Sequence, residues 1–188
     1  MIVTTLAEPA AEPVGLAEAK AFLRVTGAGE DGLVGDLVAA ARAAIEDAVG
    51  LALISRTLRV TLDGWPMVLH SRRRMTLPVR PAVSLEAVRI VRDGVAEDLT
   101  AQFFLMPGRS GRLSWMSGAL PRTGPGRVIE IDYVAGFGAE ADDVNDSLRL
   151  AVKRMMAHIY ETRHAEGRST RLPDDVAALV APWRRVRL

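Results

Sequence analysis

Residues 133 to 144 read YVAGFGAEADDV, and within this stretch the pattern of the chain changes from strand to helix. Upstream of Gly136, the run RVIEIDYV (127–134) alternates apolar and polar residues, although imperfectly, as a half-buried strand does. Downstream, apolar residues recur every three or four positions from Val144 to Ile159, which predicts an amphipathic helix. The two glycines therefore lie between a β segment and a helical segment.

The glycine turn lacks the residues that a phosphate-binding loop needs. A P-loop enters its helix with Lys-Ser/Thr, and a dinucleotide fingerprint has a third glycine within a βαβ unit. Here the helix opens on Asp142, Asp143 and Asp146, whose carboxylates suit the positive helix end and would repel phosphate. With Asn145 these residues also lack the ligand spacing of an EF-hand loop. We interpret the stretch as a hinge and a helix N-cap.

Two helices are predicted upstream of the β segments. In VGLAEAKAFLRV (14–25), Gly15 is the expected N-cap and Glu18 occupies the capping-box position. In EDGLVGDLVAAARAAIEDAVG (30–50), Gly50 is the expected C-cap. The apolar faces predicted for the two helices consist of Leu16, Ala19, Phe22 and Leu23, and of Leu33, Leu37, Ala41, Ala44 and Ala48, widened by Val34, Val38 and Ile45.

The middle of the chain carries strand signals separated by Pro, Gly and Asp-Gly turns. The strand candidates are TLRVTLDGW (57–65), MTLPV (75–79), LEAVRIVRDG (85–94), QFFLM (102–106), GRLSW (111–115) and RVIEIDYV (127–134). Their spacing leaves no room for crossover helices, so an antiparallel unit of six or seven strands is expected rather than a doubly wound parallel sheet.

The predicted fold class is α+β. A helical bundle, made of two N-terminal helices and one long C-terminal helix, carries an inserted antiparallel β-sandwich or barrel-like unit. We predict an N-terminal helical part (1–53), the β insert (54–138), a C-terminal helical part (139–179) and a C-terminal tail (180–188). The long helix should run to about Arg163, and a short helix should reach Leu179 before Pro182 interrupts it.

Composition excludes several function classes. The 188 residues include no cysteine, which removes disulfides, thiolate nucleophiles and Cys-based zinc sites, and the net charge is +1. No apolar stretch approaches the roughly 20 residues that cross a bilayer, and the first residues do not resemble a signal peptide, so we expect no membrane association. His158 and Glu161 are three positions apart, which does not make a metal site, and His70 and His164 have no evident catalytic partner. No catalytic residue, metal or cofactor is predicted.

Charge is unevenly distributed along the chain. Residues 1–50 hold 3 basic and 8 acidic side chains, whereas residues 51–138 hold 12 and 7. Within the basic middle, Arg72, Arg73 and Arg74 lie between strand candidates, so they should occupy a hairpin tip or an exposed sheet edge. They could be a solvated turn that guards an edge, or a weak contact with DNA phosphates or an acidic protein surface.

The tail APWRRVRL (181–188) combines Trp, Arg and aliphatic residues, a mixture enriched at protein interfaces. A frayed chain end is the alternative interpretation.

Three stretches together resemble the head-to-tail connector, or adaptor, family of long-tailed phages and gene transfer agents. They are the start Pro13–Val25, the join LALISRTLRVTLDGWP (51–66) and the turn YVAGFG (133–138) that leads into a long helix ending HIYETR. The resemblance covers nearly the whole chain, and none of these motifs is catalytic.

The resemblance implies a non-enzymatic structural subunit that forms a ring of about twelve copies under the portal protein of a DNA-filled capsid. The ring would join the portal to a downstream tail connector or stopper protein, in the particle and, during assembly, in the cytoplasm of the host bacterium. It also implies that the C-terminal segment reaches the portal, through Val180, Pro182, Trp183, Arg184, Arg185, Val186, Arg187 and Leu188.

DNA would pass the ring in transient proximity without tight binding, so Arg72 to Arg74 would form at most a weak tail-side or channel contact. The alternative function is a nucleic-acid-binding β-barrel module. It would require aromatic side chains on one sheet face, yet aromatic residues make up 5% of the chain and none interleaves with the arginine run.

Overall fold

The computed structural model describes residues 1–106, 111–116, 118, 120–124, 126–162 and 172–184. The chain has an α+β fold and divides into two compact units. The β unit consists of Met1–Pro9 and Ser55–Gly136, and the helical unit consists of Ala10–Ile54 and Phe137–Leu188. Each unit therefore combines two separate stretches of the sequence.

The described residues of the β unit contain two antiparallel sheets. The five-stranded sheet has the order β1 (Ile2–Thr5), β2 (Arg56–Leu62), β8 (Arg127–Ala135), β4 (Ala82–Arg92) and β5 (Val95–Asp98). The three-stranded sheet has the order β3 (Arg74–Thr76), β7 (Arg112–Trp115) and β6 (Phe103–Met106). Among these residues neither sheet closes on itself, so two open antiparallel sheets replace the barrel-like alternative.

The central strands follow the alternation seen in the sequence. Val60 on β2 lies opposite Ile131 on β8, and both side chains are fully buried. The adjacent pair along these strands is Arg59 and Asp132, which form an ion pair on the other face of the sheet. The period of two thus separates an apolar face from a charged one.

Two short strands, β1 and β5, escape the sequence analysis. The structure corrects the helical assignment of the first residues, because Ile2–Thr5 pairs with β2 through Ile2 opposite Thr61 and Thr5 opposite Leu58. Four β-branched residues favour an extended backbone, but a run of this length shows no decisive period. Only the partner strand makes it a strand.

The described part of the helical unit contains α1 (Leu16–Leu23), α2 (Asp31–Val49), α4 (Asp146–Glu161) and α5 (Asp174–Val180). All except α1 contribute several side chains to one buried apolar core, which includes Val34, Ile45, Leu148, Met156 and Val180. Gly50 adopts φ 66° at the end of α2, as a C-cap glycine does. None of the helices in the described residues has the length and hydrophobicity needed to cross a bilayer.

The predicted apolar faces are partly wrong. On α1 the side chain of Ala19 is buried, whereas Leu16 and Phe22 are exposed. On α2, Leu33 is exposed while Val34, the next residue, is fully buried. A period near 3.6 identifies a helix, but it does not decide which of two adjacent apolar stripes on that helix is buried against the other helices.

Helix ends also differ from the predictions. Asp142 and Asp143 belong to a 3-10 turn, Ala141–Asp143, and α4 begins only at Asp146 after the N-cap Asn145. The helix ends at Glu161, two residues before the predicted end. Boundary residues depend on local capping bonds that periodicity does not resolve.

Candidate functional site

The arginine run occupies a helix end and the start of a strand, which corrects the predicted hairpin tip. Arg72 ends a short helix, α3 (Met67–Arg72), and Arg73 caps it with φ 53°. Arg74 then begins β3. The buried side chain of Leu69 anchors α3. The carbonyl of Arg73 accepts a hydrogen bond from the backbone N–H of Trp115 at 2.9 Å. The three guanidinium groups are all exposed.

A groove of about 450 Å³ lies beside this segment and is lined by Met1, Pro66, Val68, Arg72, Arg74, Met75, Thr76 and Arg112. Arg112 reaches the groove because strand pairing sets it opposite Thr76. Among the described residues no carboxylate lines the groove, and Arg72, Arg74 and Arg112 form no ion pair there. The groove is therefore positively charged, with Val68 as its exposed apolar wall.

The predicted portal-binding tail is divided between core and surface. Val180 is fully buried, and the ring of Trp183 packs edge-on against Phe137 with 5.4 Å between ring centroids. The indole N–H of Trp183 also lies 3.4 Å from the Ser147 hydroxyl. Two other predicted members, Pro182 and Arg184, are exposed, whereas Arg185, Val186, Arg187 and Leu188 lie outside the described residues.

Both glycines of the turn occupy positions that favour glycine, as expected for a turn between a strand and a helical segment. Gly136 has φ 146°, a conformation that favours glycine, and its N–H donates to the carbonyl of Pro81. A Cβ at Gly138 would overlap the carboxylate of Asp143. That carboxylate accepts a hydrogen bond from the N–H of Glu140 at 3.0 Å and completes a capping box.

Glu18 does not form the predicted capping box, since its carboxylate binds α4 instead. It accepts hydrogen bonds from Arg149 at 3.0 Å and Lys153 at 2.9 Å. The ammonium of Lys153, with help from Arg149, lowers the pKa of this carboxyl. Glu18 therefore pairs with side chains more than a hundred positions away rather than with the backbone at the start of α1.

A second charged cluster, Arg59–Asp132–Arg89, lies on the outer face of the five-stranded sheet. Asp132 accepts bonds from Arg59 Nε at 2.7 Å and Arg59 Nη2 at 2.8 Å, and one from Arg89 at 2.9 Å. The hydrogen bond from Arg59 is the main reason that the pKa of Asp132 lies below its usual range. Sequence spacing could not reveal this cluster, because its members are 30 to 73 positions apart and meet only through strand register.

Other sequence candidates do not converge on a site. His70 is exposed on α3, His158 lies on α4, and His164 lies outside the described residues. Among the residues that the structure describes, no group of three or more acidic, His or Cys side chains could hold a metal ion.

Three aromatic rings of the β unit pack on one another but face its interior. Ring centroids are 5.3 Å apart for Trp65 and Phe103, and 4.8 Å apart for Phe103 and Trp115. All three side chains are buried. They cannot serve as the base-stacking platform that the nucleic-acid-binding alternative requires.

Comparison with known proteins gives matches among solved structures. No protein-family model matches the chain, and no curated protein matches it. The chain is 32% identical to a chain in the neck of an empty gene transfer agent (GTA) particle computed with C6 symmetry, with a TM-score of 0.84. It has the same identity to chains in the virion of a native GTA particle (TM-score 0.83) and in the neck of a native GTA particle computed with C12 symmetry (TM-score 0.81). Each match covers 100% of this chain and 97% of the other.

Proposed function

The chain belongs to the head-to-tail connector family of long-tailed phages and gene transfer agents, and from this premise we propose that it is a non-catalytic structural subunit of a particle neck. The full-length similarity to GTA neck chains carries the proposal. In this function, about twelve copies form a ring under the portal and join the DNA-filled capsid to the tail. Neck maps with C6 and C12 symmetry support such a ring.

The portal contact is assigned to the exposed part of the C-terminal tail. Val180 is buried, and Trp183 packs on Phe137, so both residues hold the tail to the helical unit. Pro182 and Arg184 are exposed and precede the last four residues of the chain. We therefore expect the portal-binding segment to begin at Pro182, with Val180 and Trp183 as its anchor.

The remaining partners follow from the same function. The opposite end of the ring meets a downstream tail connector or stopper protein, and DNA passes without tight binding. The finer architecture is also part of the proposal: the helical unit is a bundle in which α2 and α4 contact each other, and the two sheets form a sandwich in which β4 contacts β6.

The decisive experiment is size-exclusion chromatography with light scattering on the purified chain, alone and mixed with its portal ring. We expect co-migration with the portal in about a dozen copies. A chain that stays monomeric and does not bind the portal would overturn the proposal.

Two charge reversals map the contact. Arg184→Glu should weaken co-migration, whereas the matched control Arg122→Glu, at another exposed arginine, should not. If both variants bind as the parent does, the portal contact lies elsewhere on the chain.

A further inference from the structure

Two of the four sheet edges in the described part of the β unit, β3 and β5, carry opposite charge. β3 ends the three-stranded sheet and, among the described strands, pairs only with β7. β5 ends the five-stranded sheet and pairs there only with β4. Free edges expose unpaired backbone N–H and C=O groups, so each is a template for another strand.

The β3 edge is basic. Arg74 on β3, Arg72 before it and Arg112 on β7 line the groove of about 450 Å³ and have no carboxylate partner among the described residues. Val68, which is 40% exposed, supplies apolar surface beside these charges, whereas the side chain of Met75 is buried. Met and Arg are enriched in protein interfaces, so the groove suits a polypeptide segment with one apolar side chain and a nearby carboxylate.

The β5 edge has these two side chains. Val95 and Glu97 lie two residues apart and thus on the same face of the strand, and the Val95 side chain is 74% exposed. Glu97 forms no ion pair with any described residue, whereas Asp98 is held by hydrogen bonds to Thr100.

Glu97 also determines which partner the edge accepts. It lies opposite Ile90, so the two side chains share one face of the sheet, but Glu97 itself is exposed. A charged side chain on an edge strand opposes unselective pairing. Opposite charges across a strand pair stabilise it and like charges destabilise it, so an arginine-bearing edge is a favourable partner.

We propose that β5 of one copy pairs with β3 of a second copy, with Val95 in the groove and Glu97 facing Arg74 and Arg112. This inference rests on the proposed ring. Because β3 and β5 are different surfaces, the contact is heterologous, and a heterologous contact that closes generates a ring. Each copy offers its basic β3 edge to one neighbour and its acidic β5 edge to the other. Every copy in the ring therefore makes the same two contacts.

Cross-linking tests the pairing directly, because the sequence has no cysteine. Thr76→Cys and Ala96→Cys are made in separate, differently tagged chains, mixed, and treated with a short bis-maleimide, whose reach covers neighbouring register positions. The matched control replaces Thr76→Cys with Thr4→Cys, on the exposed edge strand β1. We expect the Thr76/Ala96 pair to give about tenfold more heterodimer than the control.

Charge exchange gives a second readout. Arg74→Glu with Arg112→Glu in the Thr76→Cys chain should lower the heterodimer yield about tenfold. Glu97→Arg in the Ala96→Cys chain should restore it, whereas Arg122→Glu should change nothing. Restoration distinguishes an ion pair between copies from misfolding of the double variant.

The possible failures are distinct. Equal yields for the Thr76 and Thr4 pairs would overturn the pairing, and light scattering that still shows a ring would leave the proposed function intact. Neither cross-link nor ring, with the portal present, would overturn both. Duplex DNA binding that is lost in the double arginine variant, without heterodimer in the parent, would assign the groove to phosphates and overturn the pairing.

Discussion

Two truncations only five residues apart should have very different consequences for stability. Deleting residues 180–188 removes the fully buried Val180 and the indole of Trp183, which packs edge-on against Phe137. Burying a valine side chain contributes about 1.5 to 3 kcal/mol. An aromatic pair adds about 0.5 to 1.5 kcal/mol. The expected loss in the free energy of unfolding is therefore about 3 kcal/mol. Deleting only residues 185–188 retains both contacts and should retain the stability that they provide.

Urea denaturation followed by circular dichroism measures this difference. With a slope of about 2 kcal/mol per molar urea, the longer deletion should lower the midpoint by about 1.5 M. Val180→Ala should show part of this loss, and Val95→Ala, at a side chain that is 74% exposed, should show none. The reasoning is refuted if the 180–188 deletion unfolds at the parent's midpoint. Portal binding should therefore be tested with the 185–188 deletion, because the longer one combines lost contact with lost stability.

Three further substitutions test the core, the turn and the charged sheet face. Leu148→Ala, at a fully buried position, should lower the free energy of unfolding by about 2 to 5 kcal/mol in urea titration, and a loss below 1 kcal/mol would contradict the assigned core. Gly138→Ala should cost about 1 to 2 kcal/mol because its Cβ displaces Asp143 from the capping box; a thermal midpoint equal to the parent's would count against that overlap. Asp132→Asn should cost about 2 kcal/mol at pH 7, because three charge-assisted hydrogen bonds weaken or are lost. The folded-state pKa of Asp132 is lowered, so its contribution is complete above the ordinary pKa near 4 and disappears as pH falls through the lower value; a difference between variant and parent that persists unchanged at pH 2 would argue against the ion pair.

Sequence patterns predicted element types well and their partners poorly. The run from Leu58 to Leu62 alternates cleanly, and the structure confirms a strand there with its apolar residues buried. β1 was missed because four residues carry too little periodic signal, and its strand state depends on hydrogen bonds to β2. Glu18 was interpreted as a capping residue because its partners, Arg149 and Lys153 on α4, are far away in the sequence and local spacing does not reveal them.

The surface features show the same division. Charge counts along the chain indicated a basic middle, and Arg72 and Arg74 were identified as exposed residues from their position alone. Arg112 was not, because it joins them only through its register opposite Thr76. For the tail, composition suggested an interface, but burial of Val180 and the contact between Trp183 and Phe137 divide it into an anchor and an exposed end.

The sequence by itself determined the α+β class, the antiparallel strands between helical segments and the glycine turn where one pattern succeeds the other. These features are local: they follow from the periods of helix and strand and from the backbone freedom of glycine. The tertiary structure alone decided which strands are edges, which charges meet and which apolar stripe is buried. Such features depend on contacts between residues far apart in the chain, and no local pattern encodes the energy of those contacts.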